Sequence, residues 1–271
     1  MIAFGTVVYS KALSYLEEFI DSLNNQTFQG FELLVINDNV ERKVLNGYFD
    51  KLKVNYSIID IWNNMSPANL RVELIKNAKL IGYDLLIMGD CDDLFDVHRV
   101  YEVVNYYQNN NTFTFYYNDL RLFDGTKALK EFPLITEDIE EIVECNYLGL
   151  SNTAINLSLI SYEFIESLYG CTSFVFDWYL FSRIVCSGGK GIYVENGITR
   201  YRIYENNFAG VSSEKQLEKE FEVKKKHYKL MEKYDIRYTW LSKRLLQIDL
   251  TTIKPCSTLS YWWNNIKLKE E

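Results

Sequence analysis

The sequence predicts an α/β fold, with a mostly parallel sheet flanked by helices and a helical C-terminal extension. Three observations lead to this prediction. Short apolar runs alternate with amphipathic segments over residues 2–88. This order is typical of parallel strands joined by crossover helices. Acidic residues follow two of the predicted strands, and ligands bind such sheets beyond the carboxyl ends of the strands.

The first predicted strand covers residues 2–8, an unbroken apolar run typical of a strand buried on both faces. An amphipathic helix follows, whose apolar residues recur at helical spacing: Leu13, Leu16, Ile20 and Leu23. Further strands are predicted at 31–36, 54–61 and 84–88, separated by two helices. The second of these helices begins at Ser66-Pro67, because serine at the N-cap and proline at the first helical position favour a helix start.

The middle of the chain is less regular. We predict a longer strand at 112–122 and a solvated helix in the acidic stretch at 137–144. A loop of small residues at 149–154 is interpreted as a lip over a substrate. Residues 174–184 mix aromatic side chains with one acid, Asp177.

The chain changes character at Glu214. A charged helix with a narrow apolar stripe is predicted there, and residues 224–254 carry nine Lys or Arg against three Asp or Glu. We therefore divide the chain into an α/β domain at 1–212 and a helical appendage at 213–271. Two interpretations of the appendage stay open: contact with an anionic membrane surface, or packing on the core. The narrow stripe favours packing.

Composition excludes several classes of protein. The 271 residues are 48% apolar and 24% charged, which is typical of a globular chain. A net charge of -8 argues against nucleic acid as a partner. Five cysteines without a CxxC pair disfavour a zinc site or a disulfide framework. Because we find no basic leader and no apolar run of roughly eighteen residues, we expect a cytoplasmic protein.

The strongest functional feature is the acidic run Asp90-Cys-Asp92-Asp93 after the fourth predicted strand. Crowded carboxylates are unfavourable unless a cation or hydrogen-bond donors compensate them. Mg²⁺ or Mn²⁺ commonly takes one or two carboxylates together with substrate phosphates. The alternative is an acidic turn that caps the next helix through Asp93 or Asp96. Asp38, at the end of a neighbouring strand, favours a metal site formed by Asp90 and Asp92.

Other phosphate and catalytic motifs do not occur. The sequence contains no GxxxxGK[ST] motif, and no GxGxxG follows the first strand, which disfavours P-loop and dinucleotide sites. His98 and His227 fit no catalytic triad, and we assign both to the surface or an interface.

Four segments, in the order that the fold requires, resemble family 2 glycosyltransferases, which have the GT-A fold. The resemblance covers roughly residues 1–210. The segments are the opening from Val7-Val-Tyr9-Ser10 to Phe31-Glu-Leu-Leu-Val-Ile-Asn-Asp38, the stretch Tyr83-Asp-Leu-Leu-Ile-Met-Gly-Asp90-Cys-Asp92-Asp93 with its DxD motif, the acidic motif Phe176-Asp177-Trp178, and the closing loop with Tyr201-Arg202 and Asn206-Asn207.

The resemblance implies a metal-dependent, inverting glycosyltransferase that takes its sugar from a nucleotide-diphosphate donor, with UDP-sugars favoured. The acceptor would be a hydroxyl of a glycan or lipid-linked molecule in surface polysaccharide synthesis. It implies Asp177 as the general base and Asp90 and Asp92 as ligands of Mn²⁺ or Mg²⁺. The residues implied to bind the nucleotide sugar are Tyr9, Asp38, Arg71, Asp90 and Arg202.

Two other functions stay open at the level of sequence. A nucleotidyltransferase shares the layered fold and an acidic metal site, although residues 9–13 are not the glycine-rich, lysine-bearing loop that would favour it. A non-catalytic module that binds nucleotide sugars is the other alternative. It is supported by Phe176, which stands where the family commonly has Glu before the base.

Overall fold

The computed structural model describes residues 1–173, 175–203, 214–254 and 258–268, and in these ranges nine strands form one sheet. The strands are β1 (Ile2–Tyr9), β2 (Glu32–Asp38), β3 (Tyr56–Ile61), β4 (Leu85–Met88), β5 (Leu94–Phe95), β6 (Phe115–Arg121), β7 (Ile135–Thr136), β8 (Thr153–Asn156) and β9 (Gly191–Arg200). Their order is β3-β2-β1-β4-β8-β6-β9-β5, and β7 pairs with β9. The pairs β1–β2, β2–β3, β1–β4 and β6–β9 are parallel.

Helices cover both faces of this sheet. They are α1 (Leu16–Asn24), α2 (Arg42–Phe49), α3 (Pro67–Ile81), α4 (Arg99–Asn109), α5 (Tyr162–Glu166), α6 (Phe176–Cys186), α7 (Glu214–Met231) and α8 (Ile236–Leu245). Within β2, Leu33 and Val35 belong to the core shared with α1, α2 and α4, whereas Leu34 and Ile36 belong to the core shared with α3 and α6. Alternate side chains of a strand point to opposite faces, so a strand with a core on each side is apolar throughout.

The predicted start of α3 is confirmed. The Oγ atom of Ser66 accepts a hydrogen bond from the Asn69 N–H at 3.2 Å, and Pro67 is the first helical residue. The helix ends at Gly82, whose φ of 97° lies in the left-handed region that suits glycine. This fixed start places Arg71 one turn into α3, beside the carboxyl end of β4.

Two predictions for the middle of the chain are wrong. The acidic stretch at 137–144 is not a solvated helix: it contains a 3-10 turn at Ile139–Glu141, because Ile139, Ile142 and Val143 are drawn into the core. The stretch at 149–154 is not a simple loop either. After a 3-10 turn at Leu150–Asn152 it enters β8, which is buried and lies antiparallel between β4 and β6.

The appendage packs on the same core as α3 and α6. Glu220 and Lys224 are both buried, and Lys224 Nζ lies 3.7 Å from Glu220 Oε1. Lys224 Nζ also donates to the Ile266 carbonyl, and the Ile266 N–H donates to Glu220 Oε1 at 2.7 Å. These contacts join the C-terminal segment to α7. The division at residue 212 stays a prediction.

His227 on α7 corrects another expectation. Its ring is fully buried and stacks on Trp178 with 4.0 Å between ring centroids. Burial, with the charge of Lys224, lowers the pKa of His227 to about 3, so the ring is neutral at physiological pH. It is a core side chain rather than a surface residue. None of the helices in the described ranges is long and apolar enough to cross a membrane.

Candidate active site

The carboxyl ends of β1 and β2 place two predicted donor-binding residues side by side. Tyr9 and Asp38 are register partners in the parallel pair. The Asn39 side chain donates a hydrogen bond of 2.8 Å to Asp38 Oδ1, and Asn39 itself adopts a left-handed φ of 57°. Asparagine tolerates this conformation better than most residues. The turn therefore holds the Asp38 carboxylate at the edge of the sheet.

The acidic turn after β4 separates its carboxylates by environment. Asp90 and Asp92 are partly exposed, whereas Asp93 is buried. Asp90 Oδ1 forms an ion pair with Arg71 Nη2 at 3.2 Å, and the Asp90 N–H donates to Ser151 Oγ at 3.1 Å. This geometry leaves two carboxylates on the open side of the turn.

Negative charge is concentrated around this turn. Burial raises the pKa of Tyr9, Cys91 and Asp93, and the charges of Asp90 and Asp92 raise all three further. The described residues contain no group of three or more His, Cys, Asp and Glu side chains that could hold a metal. Two carboxylates with an excess of negative charge nevertheless suit a hard divalent cation that takes its other ligands from phosphates. The donor set therefore fits Mg²⁺ or Mn²⁺.

A buried arginine that sequence analysis missed lies beneath the turn. Arg99 is fully buried at the start of α4, and its Nη2 atom donates to the Met88 carbonyl at 2.8 Å while Nε donates to Asn118 Oδ1 at 3.1 Å. Burial lowers the pKa of Arg99 to about 9, although the nearby charge of Asp93 opposes this shift. Arg99 Nη1 and Asp93 Oδ2 are buried without a hydrogen-bond partner among the described residues. Through its bond to the Met88 carbonyl, Arg99 supports the strand end from which the turn begins.

Asp177 lies in the first turn of α6, and its side chain is partly buried. Its Oδ1 atom accepts hydrogen bonds from the Trp178 N–H at 2.6 Å and from Asn146 Nδ2 at 3.2 Å. Loss of hydration raises the pKa of Asp177 to about 7, against the effect of the Trp178 N–H and of Arg71. A carboxyl with this pKa can accept and release protons near neutral pH.

A cavity of about 760 Å³, a volume typical of small-molecule sites, is lined by some of these groups but not by Tyr9, Asp38 or Asp92. Arg71, Asp90, Asp177 and Tyr201 line it, together with Trp262 from the C-terminal segment. The predicted lip contributes residues 149–152.

Arg202 lies beside the acidic turn. Its guanidinium donates to the Asp92 carbonyl at 2.8 Å and pairs with Glu18, and it lies over the rings of Tyr15 and Phe123. Its backbone N–H donates to Asp93 Oδ1 at 2.8 Å. Arg202 therefore ties the end of β9 to the turn, and its contact with a donor stays a prediction. Asn206 and Asn207 of the closing loop lie outside the described residues.

The profile of glycosyl transferase family 2 matches residues 5–142, just over half of the chain and the part that holds β1 to β7 and the acidic turn. The chain belongs to glycosyl transferase family 2. The predicted family and the prediction of a glycosyltransferase are thereby confirmed. A search of curated protein sequences found no match.

Solved structures confirm the GT-A fold of this family 2 glycosyltransferase. Residues 1–349 of Staphylococcus aureus TarS with UDP-GlcNAc align over 90% of this chain and 71% of that one, with a TM-score of 0.64 at 14% identity. The mannosyltransferase PcManGT from Pyrobaculum calidifontis, with GDP-Man and Mn²⁺, aligns over 84% of this chain and 62% of that one, with a TM-score of 0.57 at 11% identity. GalNAc-T7 with UDP, GalNAc and Mn²⁺ aligns over 92% of this chain and 51% of that one, with a TM-score of 0.58 at 13% identity.

The GT-A fold brings most of the predicted site residues to one edge of the sheet. Asp90, Arg71 and Asp177 share the cavity, while Tyr9 and Asp38 lie on neighbouring strand ends. Two residues of this glycosyltransferase site, Arg99 and Asn146, were not predicted from the sequence, whereas Ser151 falls within the predicted lip. No local pattern marks Arg99 or Asn146, since each acts through a partner distant in the sequence.

Proposed function

We propose that this glycosyltransferase moves a sugar from a nucleoside diphosphate donor, favouring UDP-sugars, to a hydroxyl of a glycan or lipid-linked acceptor. The observation that carries the proposal is the shared cavity, which is lined both by the partly buried Asp177, whose pKa is about 7, and by Asp90 of the acidic turn. Solved relatives of the same fold hold UDP-GlcNAc and GDP-Man, which supports a nucleotide-sugar donor.

In this proposal the donor lies along the ends of β1, β2 and β4. Tyr9 and Asp38 contact the nucleoside, while Arg71 offers positive charge to the diphosphate. Asp90 and Asp92 hold a divalent cation, Mn²⁺ or Mg²⁺. When bound, such a cation stabilises negative charge on the diphosphate leaving group. The Mn²⁺ in two of the similar structures supports this choice.

Asp177 acts as the general base. Above pH about 7 its carboxylate is ionised and can take the proton of the acceptor hydroxyl as that oxygen attacks the anomeric carbon. Attack on the face opposite the leaving diphosphate inverts the anomeric configuration. The Asn146 amide holds this carboxylate in place by donating a hydrogen bond to its Oδ1 atom.

The alternatives predict different results. No contact in the described ranges favours a nucleotidyltransferase. A non-catalytic binding module retains one argument, because Phe176 precedes Asp177 and lines the cavity. Such a module would bind the donor without turnover, whereas the proposed enzyme releases the nucleotide diphosphate.

Thermal shift measurements with UDP, GDP, CMP and dTDP, each with and without Mn²⁺, test the donor site. Ligand at a hundred times its dissociation constant adds about 2.7 kcal/mol, or a rise in Tm of about 5–10 °C. We expect UDP with Mn²⁺ to give this rise in the wild type, and Asp92→Asn to abolish it.

Asp21→Asn is the matched control for that experiment, because Asp21 is exposed on α1, away from the cavity. It should keep the full shift. If no nucleotide stabilises the wild type with or without the metal, the acidic turn is structural and the donor proposal fails.

We also propose that α8 touches an anionic membrane surface, where lipid-linked acceptors reside. Ile236 is 79% exposed and Trp240 45% exposed, with Lys243 and Arg244 on the same helix. Apolar and basic side chains on one exposed helix suit anionic headgroups. The role in surface polysaccharide synthesis and the cytoplasmic location stay predictions.

Vesicle co-sedimentation tests the membrane proposal. We expect binding to phosphatidylglycerol vesicles and not to phosphatidylcholine vesicles, and a roughly tenfold loss in Trp240→Glu through lost apolar burial. Tyr101→Glu, which changes an exposed aromatic residue on α4, serves as the control. Equal sedimentation of both variants would contradict a role for α8.

A further inference from the structure

Trp262, on the C-terminal segment at 258–268, forms a wall of the cavity that contains Asp177. Its indole packs against Gly149, where a Cβ atom would lie 3.0 Å from the ring. The Tyr201 ring lies 6.0 Å away, centroid to centroid. Trp262 is partly buried, so its ring is supported by the protein on one side while it borders the cavity.

The same segment is fixed to the residue that holds the base. The Asn146 N–H donates to the Trp262 carbonyl at 2.9 Å, and the Trp262 N–H donates to the Asn146 carbonyl at 3.0 Å. The Asn146 side chain in turn donates to Asp177. Three hydrogen bonds therefore connect the Trp262 backbone, through Asn146, to the Asp177 carboxyl.

The next residue, Trp263, has a strained backbone and also contacts the cavity. Trp263 has a φ of 62°, which is rare for a bulky side chain. Such conformations persist where the surrounding structure enforces them, and they concentrate at functional sites. Trp263 is 4% exposed and also lines the cavity.

The cavity lining combines charged, aromatic and small polar side chains. Arg71 and Asp90 lie beside the acidic turn, where the donor diphosphate is proposed to bind. Trp262 lines the same cavity, as do Thr172 and Ser173, which can bond hydroxyl groups. The C–H face of a pyranose ring packs well on the electron-rich face of an indole.

We propose that Trp262 is the stacking platform for a pyranose ring of the acceptor, so that this cavity takes a sugar rather than a simple alcohol as acceptor. The proposal rests on the proposed function, since it names the acceptor class of the same site. It makes the C-terminal segment part of the active site: Trp262 supplies the platform, and its backbone fixes Asn146.

Saturation-transfer NMR with the methyl glycosides of glucose, galactose, mannose and N-acetylglucosamine, in the presence of UDP and Mn²⁺, tests the platform. We expect at least one glycoside to bind the wild type through its ring protons. Trp262→Leu should weaken that binding roughly 2- to 12-fold, the range for loss of one aromatic contact. Trp262→Phe should restore most of it.

Trp240→Leu is the control, because Trp240 lies on α8 outside the cavity. An unchanged UDP-induced Tm shift in Trp262→Leu would show that the fold and donor site are intact. If UDP stabilises the protein but no glycoside binds, or if Trp262→Leu binds glycosides like the wild type, the platform proposal is overturned while the proposed function stands. Glycoside binding through Trp262 without any nucleotide effect would support the platform and overturn the donor.

Discussion

Asp177→Asn is expected to lower the rate of sugar transfer by about 10²–10⁴-fold, the usual contribution of a positioned general base. The amide has nearly the shape of the carboxyl, and its oxygen can still accept the Trp178 N–H bond. It cannot take the acceptor proton. We therefore expect UDP binding to be unchanged, as measured by thermal shift, while transfer is measured by release of UDP. An unchanged rate would remove Asp177 from this role.

The pH profile provides a second readout of the same residue. Because burial raises the pKa of Asp177 to about 7, the ionised fraction falls as the pH drops below 7. We expect kcat/KM to fall about tenfold per pH unit on that acidic side. Asn146→Ala removes a donor that favours the charged form, so it should move this limb to higher pH. Asn109→Ala, on the exposed end of α4, should leave the limb in place.

The stability of the fold should decrease with rising pH, whereas kcat/KM increases. A carboxyl whose pKa is raised by folding stabilises the native state at low pH. This contribution is lost as the pH rises from the pKa of the unfolded state, near 4, through the pKa of the folded state, about 7. Wild-type Tm should therefore decline over this window through Asp177. Asp177→Asn lacks that titration, and we expect its Tm to exceed the wild-type Tm at pH 8.

Arg99→Met is expected to lower the free energy of unfolding by about 2–6 kcal/mol, because it leaves two buried acceptors unsatisfied at about 1–3 kcal/mol each. The substitution strips the Met88 carbonyl and Asn118 of their donor and removes the positive charge near Asp93. At this chain length the loss corresponds to a fall in Tm of about 4–24 °C. Thermal unfolding without ligands measures it.

Arg121→Met is the matched control, because Arg121 is partly exposed and pairs with Asp119 at 3.1 Å. Pairs of this kind contribute about 0–1 kcal/mol. Asp93→Asn in the Arg99→Met background should recover part of the loss, since coupled groups deviate from additivity by about 0.5–3 kcal/mol. Equal Tm losses in the two arginine variants would show that Arg99 does not support the turn.

Local signals explain why part of the site was predictable. The apolar runs of β1 and β2 and the Ser66-Pro67 helix start act within a few residues, so sequence is enough to place them. Once these strands are parallel, their carboxyl ends meet at one edge, and the placement of Asp38 near Asp90 follows. Asp177 was predicted by resemblance, and it lies in the first turn of α6 between the buried Phe176 and Trp178.

The two wrong predictions, for residues 137–144 and 149–154, have a common cause in burial. The acidic stretch at 137–144 has the composition of a solvated helix, but Ile139 and Ile142 gain more by entering the core than the segment gains from regular helix. The run at 149–154 is rich in small residues, yet its end enters β8, which pairs with β4 on one side and β6 on the other. Local propensity is a weak guide where tertiary contacts compete with it.

The sequence by itself determined the α/β class, the order of the first strands and helices, and the acidic turn at Asp90–Asp93, because periodicity, caps and charge are properties of neighbouring residues. Only the tertiary structure decided that Arg99 supports this turn and that Asn146 holds Asp177. It also decided that Trp262 reaches the same cavity. These contacts join residues far apart in the chain, and their energy comes from burial that exists only once the core has formed.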